Sequence, residues 1–362
     1  MAERFSVVTI SFNQCNFVER TIRSVLSQAG DFLLEYLIVD GGSTDGSVEI
    51  IKKYEKFIVA GKWPINCSGI EYRWVSEPDP GPTAALNKGL KMCRGEFISL
   101  LNSDDMYPAG TLMAVVSVFR NHPEVDVVYG KTIFVDENDR VIGNRDGVPL
   151  LRRHHFLRDN ALVQPEVFWR RRVMEKAGLF DEALAYSNDY EYWLRLIDCG
   201  ARFFYLPRAL VYFRVRPDAR SSGLHPGRFI DSLTVQYRYF GIGRYLKVNL
   251  GEYAAEFSEK THLPVTEALK VIREGFLKRL PVEARSAVSL LLQKSLLYGF
   301  LKKAAYLSFK DRAQAITFLK AVLKKAPWLL FTRRGFSVLL RLTMGKTFYR
   351  RMRRILGGGD VF

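Results

Sequence analysis

The chain has 362 residues, a length that favours a core domain with an appendage over one compact domain. Hydrophobic residues make up 48% of it and aromatic residues 13%, which excludes a disordered protein. The formal net charge of +16 arises in the last quarter: residues 1–269 hold 33 Lys and Arg against 34 Asp and Glu, whereas residues 270–362 hold 21 against 4. A basic surface that binds a partner is therefore expected only in the last quarter of this chain.

Three features of the sequence bear on where the protein works. Its four cysteines include no C-x-x-C pair, so no zinc site or disulfide framework is predicted, and a reduced, cytosolic protein is expected. The opening residues, MAERFSVVTISF, lack the pattern of a secretory signal. The most apolar long stretch, residues 286–309, is interrupted by three lysines, so binding to a membrane surface is compatible with the sequence and a membrane span is not predicted.

The first hundred residues alternate between the patterns of strands and helices. Short apolar or β-branched runs predict strands at residues 5–11, 36–40, 71–77 and 97–101. Helices are predicted between them, the first with a capping box formed by Asn16 and Glu19. This alternation predicts an α/β fold with a mainly parallel sheet that is covered by helices on both faces.

The pattern changes after the fourth predicted strand. Residues 125–143 are typical of a β-hairpin, and residues 189–199 of a helix with an aromatic face. Beyond a further strand at 210–215, successive amphipathic helices are predicted. We therefore expect an α/β domain over residues 1–225 and a helical, strongly basic region over residues 226–362.

Polar side chains end three of the predicted strands: Ser11, Asp40 and the segment 102–105 (NSDD). Ligands of such sheets bind beyond the carboxyl ends of the strands. Asp104 and Asp105 can hold a hard divalent cation, which prefers oxygen ligands and commonly shares a substrate's phosphates. A turn rich in Ser, Asn and Asp is the alternative, and the position directly after an apolar strand favours the metal.

Three further side chains have both a chemical and a structural interpretation. Asp40 precedes two glycines that let a ligand approach, so it can accept hydrogen bonds from a base or ribose, or form a turn. Lys88 can meet a phosphate or remain a solvated helix charge. Asp189 can act as a general base or help to cap its helix. Neither the G-x-G-x-x-G pattern nor a P-loop is present in the sequence, which argues against dinucleotide dehydrogenases and P-loop NTPases.

Six segments carry a family resemblance between about residues 5 and 222: VVTISFN, LIVDGGSTDGS, EPDPGPTAALNKGL, GEFISLLNSDD, AGLFDEALAYSNDYEYWLRL and VYFRVR. Their order and spacing resemble those of family 2 glycosyltransferases, which use nucleotide sugars and have the GT-A fold. The resemblance implies that fold and an inverting, metal-dependent glycosyl transfer. UDP is taken as the default nucleotide, with GDP and dTDP as open alternatives.

The resemblance also implies roles for individual residues. The nucleotide-sugar site is assigned to Thr9, Ser11, Asp40, Asp79, Lys88, Asp104 and Arg214. Within it, Thr9 and Asp40 are expected to line the nucleobase pocket, and Asp79 to lie near the base or ribose. Asp105 is expected to hold Mn²⁺ or Mg²⁺, with Asp104 at the ribose or sugar. The acceptor side is assigned to Gln164 and Trp169.

The implied mechanism is a single displacement. Asp189 matches the second position of the family's Glu-Asp motif, whereas Asn188 departs from it at the first. Asp189 is expected to take a proton from the acceptor hydroxyl as that oxygen attacks the anomeric carbon. The metal neutralises charge on the leaving nucleoside diphosphate, and Arg214 or Lys88 assists.

The basic C-terminal stretch at residues 324–356 interleaves aromatic and leucine residues with Arg and Lys, as interfacial membrane helices do. The same composition is also compatible with a segment that binds nucleic acid or with one that only packs on the core. The resemblance favours the membrane, because many relatives extend glycans on polyprenyl diphosphate lipids at the cytoplasmic leaflet. We therefore expect a cytoplasmic protein on the inner face of the cell membrane, with a glycan or lipid-linked glycan acceptor and no nucleic-acid partner.

Two other functions remain open from the sequence. A nucleotidyltransferase would share the sheet and the metal, but it needs a basic, glycine-rich loop after the first strand, which residues 13–16 do not supply. A non-catalytic nucleotide-sugar-binding domain tethered by its basic tail is the other alternative.

Overall fold

The computed structural model describes residues 3–157, 159–217, 219, 225–241, 253–254, 256–286, 288–289, 313, 315–316 and 319–320. The chain divides into two compact units, Met1–Ala219 and Arg220–Phe362. The boundary predicted at residue 225 lies six residues from this division. The stretch predicted to bind membranes, residues 324–356, lies outside the described residues. Within the described ranges, no helix is both long and apolar enough to cross a bilayer.

The first unit is built on one sheet, which has eight strands in the described residues. The strands are β1 Arg4–Ser11, β2 Gly30–Asp40, β3 Cys67–Ser76, β4 Phe97–Leu100, β5 Val127–Val135, β6 Val141–Arg145, β7 Val167–Arg170 and β8 Phe203–Arg214. Their order is β3-β2-β1-β4-β7-β5-β6, with β8 also paired to β5. The pairs among β1 to β4 are parallel, as is β5 with β8, whereas β7 is antiparallel to both neighbours. The predicted mixed, mainly parallel sheet is confirmed.

Helices cover both faces of this sheet. They are α1 Val18–Leu26, α2 Ser47–Val59, α3 Pro82–Met92, α4 Thr111–Asn121, α5 Arg171–Ala177 and α6 Asn188–Asp198. Alternate residues of β1 show the two layers, because Phe5 and Val7 join the main core with α1 and α4, whereas Val8 faces α3. A Cβ on Gly89 of α3 would lie 2.2 Å from the Val8 side chain, so this position requires glycine for close packing.

The predicted elements are present with two kinds of difference. β2 and β8 begin six and seven residues before the predicted strands, and α4, α5 and β7 were not predicted. The predicted capping box is wrong, because α1 begins after Phe17 without a side-chain cap. Glu19 instead accepts hydrogen bonds from Lys53 and Tyr54 of α2, both at 2.9 Å, and so joins the two helices.

The described part of the second unit contains α7 Gly227–Phe240 and α8 Val265–Arg279. These helices pack closely, because a Cβ on Gly275 would lie 2.3 Å from Ile230. The buried Asp231 carboxylate of α7 lies 3.4 Å from the Arg279 guanidinium of α8. The described helices agree in type with the helical region predicted there.

The amino ends of the central strands meet at one buried carboxylate. Glu35 of β2 is fully buried, and it accepts hydrogen bonds from the Ser6 hydroxyl and from the backbone N–H groups of Arg94 (2.6 Å) and Gly95 (3.2 Å). The Arg73 guanidinium donates to its other oxygen at 2.5 Å. Burial raises the pKa of Glu35, but these donors outweigh burial and leave the pKa below its ordinary value.

We expect Glu35→Ala to lower the free energy of unfolding by about 3 kcal/mol at pH 7, because it leaves buried donors without an acceptor. A lowered folded-state pKa stabilises the fold above the unfolded pKa, and this contribution is lost as the pH falls through the folded value. The deficit should therefore shrink in urea denaturation at low pH. Glu71→Ala removes a partly exposed carboxylate from the same ion-pair cluster and should cost less than about 1 kcal/mol. Equal losses in the two variants at pH 7 would contradict this account.

Candidate active site

Asp40, at the carboxyl end of β2, is fully buried and organises the loop that follows. Its oxygens accept hydrogen bonds from the backbone N–H groups of Gly42 and Ser43, from the Ser43 hydroxyl and, at 2.7 Å, from the Ser76 hydroxyl of β3. This geometry does not fit the predicted contact with a base or ribose, because the carboxylate is closed to solvent and already has four donors. It supports the turn-forming alternative.

The loops after β1 and β2 are linked to each other. The Asn13 backbone N–H donates to the Ser43 hydroxyl at 2.8 Å, and the Thr44 N–H donates to the Asn13 side chain at 3.0 Å. Asn13 adopts a left-handed conformation with φ of +52°, which Asn tolerates better than most residues. The Cys15 N–H also donates to Asp45 at 2.9 Å. The two loops therefore form one rigid rim at this edge of the sheet.

Thr9 and Ser11 of β1 differ in their access to this rim. Thr9 is fully buried, and its hydroxyl accepts a hydrogen bond from Tyr36 at 3.2 Å, which does not fit the predicted role in lining a pocket. Ser11 ends the strand, and its buried hydroxyl oxygen has no hydrogen-bond partner among the described residues. A buried polar group without a partner requires an explanation such as water or a ligand.

Phe12 is a feature of the rim that the sequence interpretation missed. Its side chain is 60% exposed, although it directly follows a buried strand. A Cβ on Gly41 would lie 3.3 Å from the Phe12 ring and 3.0 Å from Asp79 Oδ2, so Gly41 brings these two side chains together. Asp79 is half-buried, and its other oxygen accepts the Gly81 N–H at 2.8 Å. The signal in the sequence is an aromatic residue placed where a core strand ends.

Lys88 of α3 pairs with Glu77 in the loop after β3, with 2.6 Å between the ammonium and the carboxylate. Both side chains are partly exposed, and a phosphate would have to compete with Glu77 for the ammonium. The geometry therefore supports a solvated ion pair more than the predicted phosphate contact.

The two adjacent aspartates after β4 have different environments. Asp105 is 1% exposed, and its two oxygens accept hydrogen bonds from the Arg214 backbone N–H at 2.9 Å and from the Asn102 amide at 3.1 Å. The Asp104 side chain is 18% exposed and lies 3.1 Å from the Arg216 guanidinium. Burial raises the pKa of both carboxyls, and the negative charge of Asp104 raises the pKa of Asp105 further. Asp104 is thus the more accessible carboxylate, which does not fit the predicted assignment of the metal to Asp105.

Arg214 is buried at the end of β8, and its guanidinium contacts other groups of the protein. Its guanidinium donates to the backbone oxygens of Asp104 (2.9 Å) and Asp136 (2.5 Å) and to the Asp139 carboxylate (2.5 Å). These contacts do not fit the predicted assistance to a leaving group. Arg216, two residues further on, instead lies on the Asp104 carboxylate and 4.6 Å from the centre of the Phe17 ring. The RVR pattern contained both arginines, and only the structure separates their roles.

Helix α3 positions the first turn of α6, which carries Asp189. The Asn188 amide donates to the Thr83 hydroxyl at 2.9 Å, and Thr83 donates in turn to the Leu184 carbonyl at 3.1 Å. Asn87 exchanges two hydrogen bonds with the backbone of Phe180 in the same loop. Because α3 begins directly after the β3 loop, Asp189 lies at the carboxyl edge of the sheet.

The Asp189 carboxylate is held by two donors, the Asn160 amide and the Tyr190 backbone N–H, each at 2.7 Å. Burial raises its pKa to about 6, and the nearby Asp159 adds to this effect. The N-cap position of α6 is Ser187, so Asp189 does not fill the capping role that was the alternative. A carboxylate with a pKa just below neutrality suits a general base.

The two residues assigned to the acceptor side differ in exposure. Trp169 is fully buried in β7, where its ring lies 5.9 Å from Tyr192 and 5.7 Å from Trp193, so the predicted acceptor contact does not fit. Gln164 is half-buried in the 3₁₀ turn Gln164–Glu166 that precedes β7.

Asp104 and Asp105 after β4 can bind a divalent cation only if the phosphates of a substrate supply further oxygen ligands. No cluster of three or more His, Cys, Asp or Glu side chains suited to a metal occurs in the part of the chain that the structure describes. Burial raises the pKa of these two adjacent carboxyls, repulsion from Asp104 adds to this effect at Asp105, and a bound cation would favour their charged forms. Mg²⁺-like ions are commonly bound by one or two carboxylates and a substrate's phosphates, so this donor set fits such an ion.

The carboxyl edge of this α/β sheet thus carries the acidic turn after β4 and the half-buried Asp189 carboxylate. Residues 6–173 match the sequence profile of the family described as "Glycosyl transferase family 2". The first unit of this chain therefore belongs to glycosyl transferase family 2, and it transfers glycosyl groups from a nucleotide sugar.

Sequence relatives agree with this assignment. An uncharacterized glycosyltransferase of Methanocaldococcus jannaschii is 23% identical over 217 residues, which cover 58% of this chain and 70% of that protein. The minor teichoic acid biosynthesis protein GgaA of Bacillus subtilis is 25% identical over 228 residues, 60% of this chain and 48% of that protein.

Two solved structures show the same fold. S. aureus TarS 1–349 in complex with UDP-GlcNAc has a TM-score of 0.51 and 19% identity, and the match covers 89% of this chain and 90% of that one. GalNAc-T7 with UDP, GalNAc and Mn²⁺ has a TM-score of 0.52 and 16% identity, and the match covers 76% and 54%. The chain therefore has the GT-A fold.

Proposed function

We propose that the protein is an inverting glycosyltransferase that moves a sugar from a UDP-sugar to a hydroxyl group of a surface glycan or lipid-linked glycan. The observation that carries this proposal is the half-buried Asp189 carboxylate at the carboxyl edge of the sheet, which is held by Asn160 and has its pKa raised to about 6. At pH 7 it is mostly ionised and ready to accept a proton, and protonation on acidification should reduce turnover below about pH 6.

We assign the donor's diphosphate to the turn after β4. Asp104 would hold Mn²⁺ or Mg²⁺ together with the diphosphate, and the bound ion would supply charge neutralisation to the leaving group. Arg216, beside Asp104, replaces Arg214 as the arginine that can contact the diphosphate. The complexes of TarS with UDP-GlcNAc and of GalNAc-T7 with UDP and Mn²⁺ support this choice of donor and ion.

The nucleoside end of the donor is placed on the rim after β1 and β2. The exposed Phe12 ring offers a flat apolar face to a base, and Ser11 offers a hydroxyl without a protein partner. Asp79 lies beside Phe12 and has a carboxylate that can accept from a ribose hydroxyl.

In the transfer step, Asp189 takes the proton of the acceptor hydroxyl as its oxygen forms a bond to the anomeric carbon. The bond from that carbon to the diphosphate oxygen breaks, and its electron pair leaves with UDP. Attack opposite the leaving group inverts the anomeric centre. The chain's part is to orient the acceptor, to accept one proton and to hold the diphosphate.

Replacing the two aspartates should separate binding from stability. Asp104→Ala should abolish the Mn²⁺-dependent rise in melting temperature that UDP produces and change the ligand-free stability little. Asp105→Ala should lower the free energy of unfolding by about 1–3 kcal/mol, because the Arg214 N–H and the Asn102 amide lose their acceptor. If Asp104→Ala keeps the full Mn²⁺-dependent shift and a folded Asp105→Ala loses it, Asp105 is the metal ligand.

Asp189→Asn should reduce kcat by about 10²- to 10⁴-fold, because the proton acceptor is removed, while UDP affinity measured by calorimetry stays at the wild-type value. Asp198→Asn is the matched control at the other end of α6, where the carboxylate pairs with Arg153 at the surface, and it should keep wild-type turnover. Wild-type turnover in Asp189→Asn would refute the base assignment.

The basic C-terminal stretch is proposed to bind anionic membrane, which would bring the enzyme to a lipid-linked acceptor on the cytoplasmic face. The full chain should sediment with vesicles containing phosphatidylglycerol and much less with neutral vesicles, because each basic residue contributes about 1 kcal/mol near an anionic surface. Replacing four arginines by Gln at positions 350, 351, 353 and 354 should release it. Equal sedimentation of this variant, or binding to RNA in preference to vesicles, would contradict the proposal.

A further inference from the structure

We propose that Asn160 is the positioning residue of the base: its amide orients the Asp189 carboxylate for the acceptor hydroxyl. The inference rests on the proposed function, because it takes Asp189 as the base. The carrying contact is the 2.7 Å hydrogen bond from Asn160 Nδ2 to Asp189 Oδ2. The Tyr190 backbone N–H donates to the other oxygen, and within the described residues Asn160 is the one side chain that donates to this carboxylate, which leaves lone pairs for a substrate.

The direction of this hydrogen bond is fixed by a second one. The Oδ1 atom of Asn160 accepts the Leu162 backbone N–H at 3.2 Å. An amide whose oxygen is used in this way presents its NH₂ group to the other side. Asp189 therefore faces the NH₂ group of Asn160 and not its amide oxygen.

The segment that carries Asn160 is anchored to the sheet. Arg145 at the end of β6 donates to the Ala161 carbonyl at 2.5 Å. The Val163 N–H donates at 3.0 Å to the buried Glu166, which also accepts the Thr132 hydroxyl of β5. Asn160 is thus held by the β5–β6 side of the sheet, which is a different support from the one that holds the base.

Asp189 is supported from the opposite direction, because Asn188 fixes the first turn of α6 to Thr83 of α3. The contact between Asn160 and Asp189 therefore joins two separately anchored parts. A small shift of either part would rotate the Asp189 carboxylate out of the orientation in which Asn160 holds it. Misplacement of a reacting group by about 1 Å can reduce the rate roughly a hundredfold.

The charges around the pair explain why a neutral donor suits this position. Asp159, directly before Asn160, raises the pKa of Asp189, and the Asn160 hydrogen bond lowers it. On α6 itself, Glu191 is engaged with Arg195 at 2.7 Å. Arg145 donates to backbone carbonyl oxygens of the Asn160 segment, and the buried Glu166 is hydrogen-bonded to the same segment. A neutral amide stabilises the ionised base without forming an ion pair, which would make it a weaker proton acceptor.

Asn160→Asp is the sharpest test, since it keeps the shape and replaces the donor by a second carboxylate. Two facing carboxylates hold a proton between them. In a carbon-13 NMR titration of the Asp carboxyl carbons, with the Asp189 signal identified by its loss in Asp189→Asn, the Asp189 pKa should rise by at least one unit. The low-pH limb of kcat/KM, measured as UDP release from UDP-GlcNAc with Mn²⁺, should move with it, and activity at pH 7 should fall at least tenfold.

Asp159→Asn is the matched control, because it should change the pKa of Asp189 in the opposite direction. It removes a neighbouring negative charge and keeps the hydrogen bond, so the Asp189 pKa should fall and the low-pH limb should move to lower pH. Asn160→Ala should raise the pKa less than Asn160→Asp does and should lower kcat at every pH, with UDP affinity unchanged. Asn160→Ala carries the test if Asn160→Asp does not fold.

The inference is overturned if the titration and the kcat of the folded Asn160 variants match those of the wild type. Failure of the proposed function has a different signature. Asp189→Asn would then turn over like the wild type, although the NMR titration could still detect the coupling between Asn160 and Asp189. A role in folding alone would lower the melting temperature of the Asn160 variants and leave the pKa of Asp189 unchanged.

Discussion

The hydrogen bond from the Arg214 backbone N–H to Asp105 joins the end of β4 to the end of β8, two strands that are far apart in sequence. The Arg214 side chain then extends the connection to the hairpin of β5 and β6 through Asp136 and Asp139. Burial of a carboxyl and of a guanidinium is costly unless each has hydrogen-bond partners, and both Asp105 and Arg214 have them here. The position of Asp104, and with it the proposed diphosphate site, depends on this fixed framework.

The alternation of strands and helices, the hairpin and the edge of the sheet that carries the site could all be predicted, because each follows from local periodicity and from a general rule for parallel sheets. β7 could not be predicted, because VFWR is too short to show a period. α4 could not be predicted either, because its valines at 115, 116 and 118 are β-branched residues that favour strands over helices. The capping box failed because Glu19 has a stronger tertiary use, in the contact with Lys53 and Tyr54.

The candidate site was predicted as a set of residues, but not as a set of roles. Asp104 and Asp105 are the same residue type at adjacent positions, and only burial separates the accessible carboxylate from the structural one. Arg214 and Arg216 are separated in the same way. Asp40 and Thr9 match family positions, yet they are used inside the protein. Asn160 lies in no recognised pattern, and its contact with Asp189 joins positions 29 residues apart, which sequence periodicity cannot reveal.

The linked loops after β1 and β2 have a consequence for how enzymes of this kind can diverge. Hydrogen bonds of Asn13 with Ser43 and Thr44 link the two loops of the nucleoside rim to each other. The segments around Asp189 are instead hydrogen-bonded to α3 and to the β5–β6 hairpin. The two halves of the reaction centre therefore have separate mechanical supports. Changes that remodel the acceptor half need not disturb recognition of the nucleotide, so one scaffold can acquire new acceptors while it keeps its activated sugar.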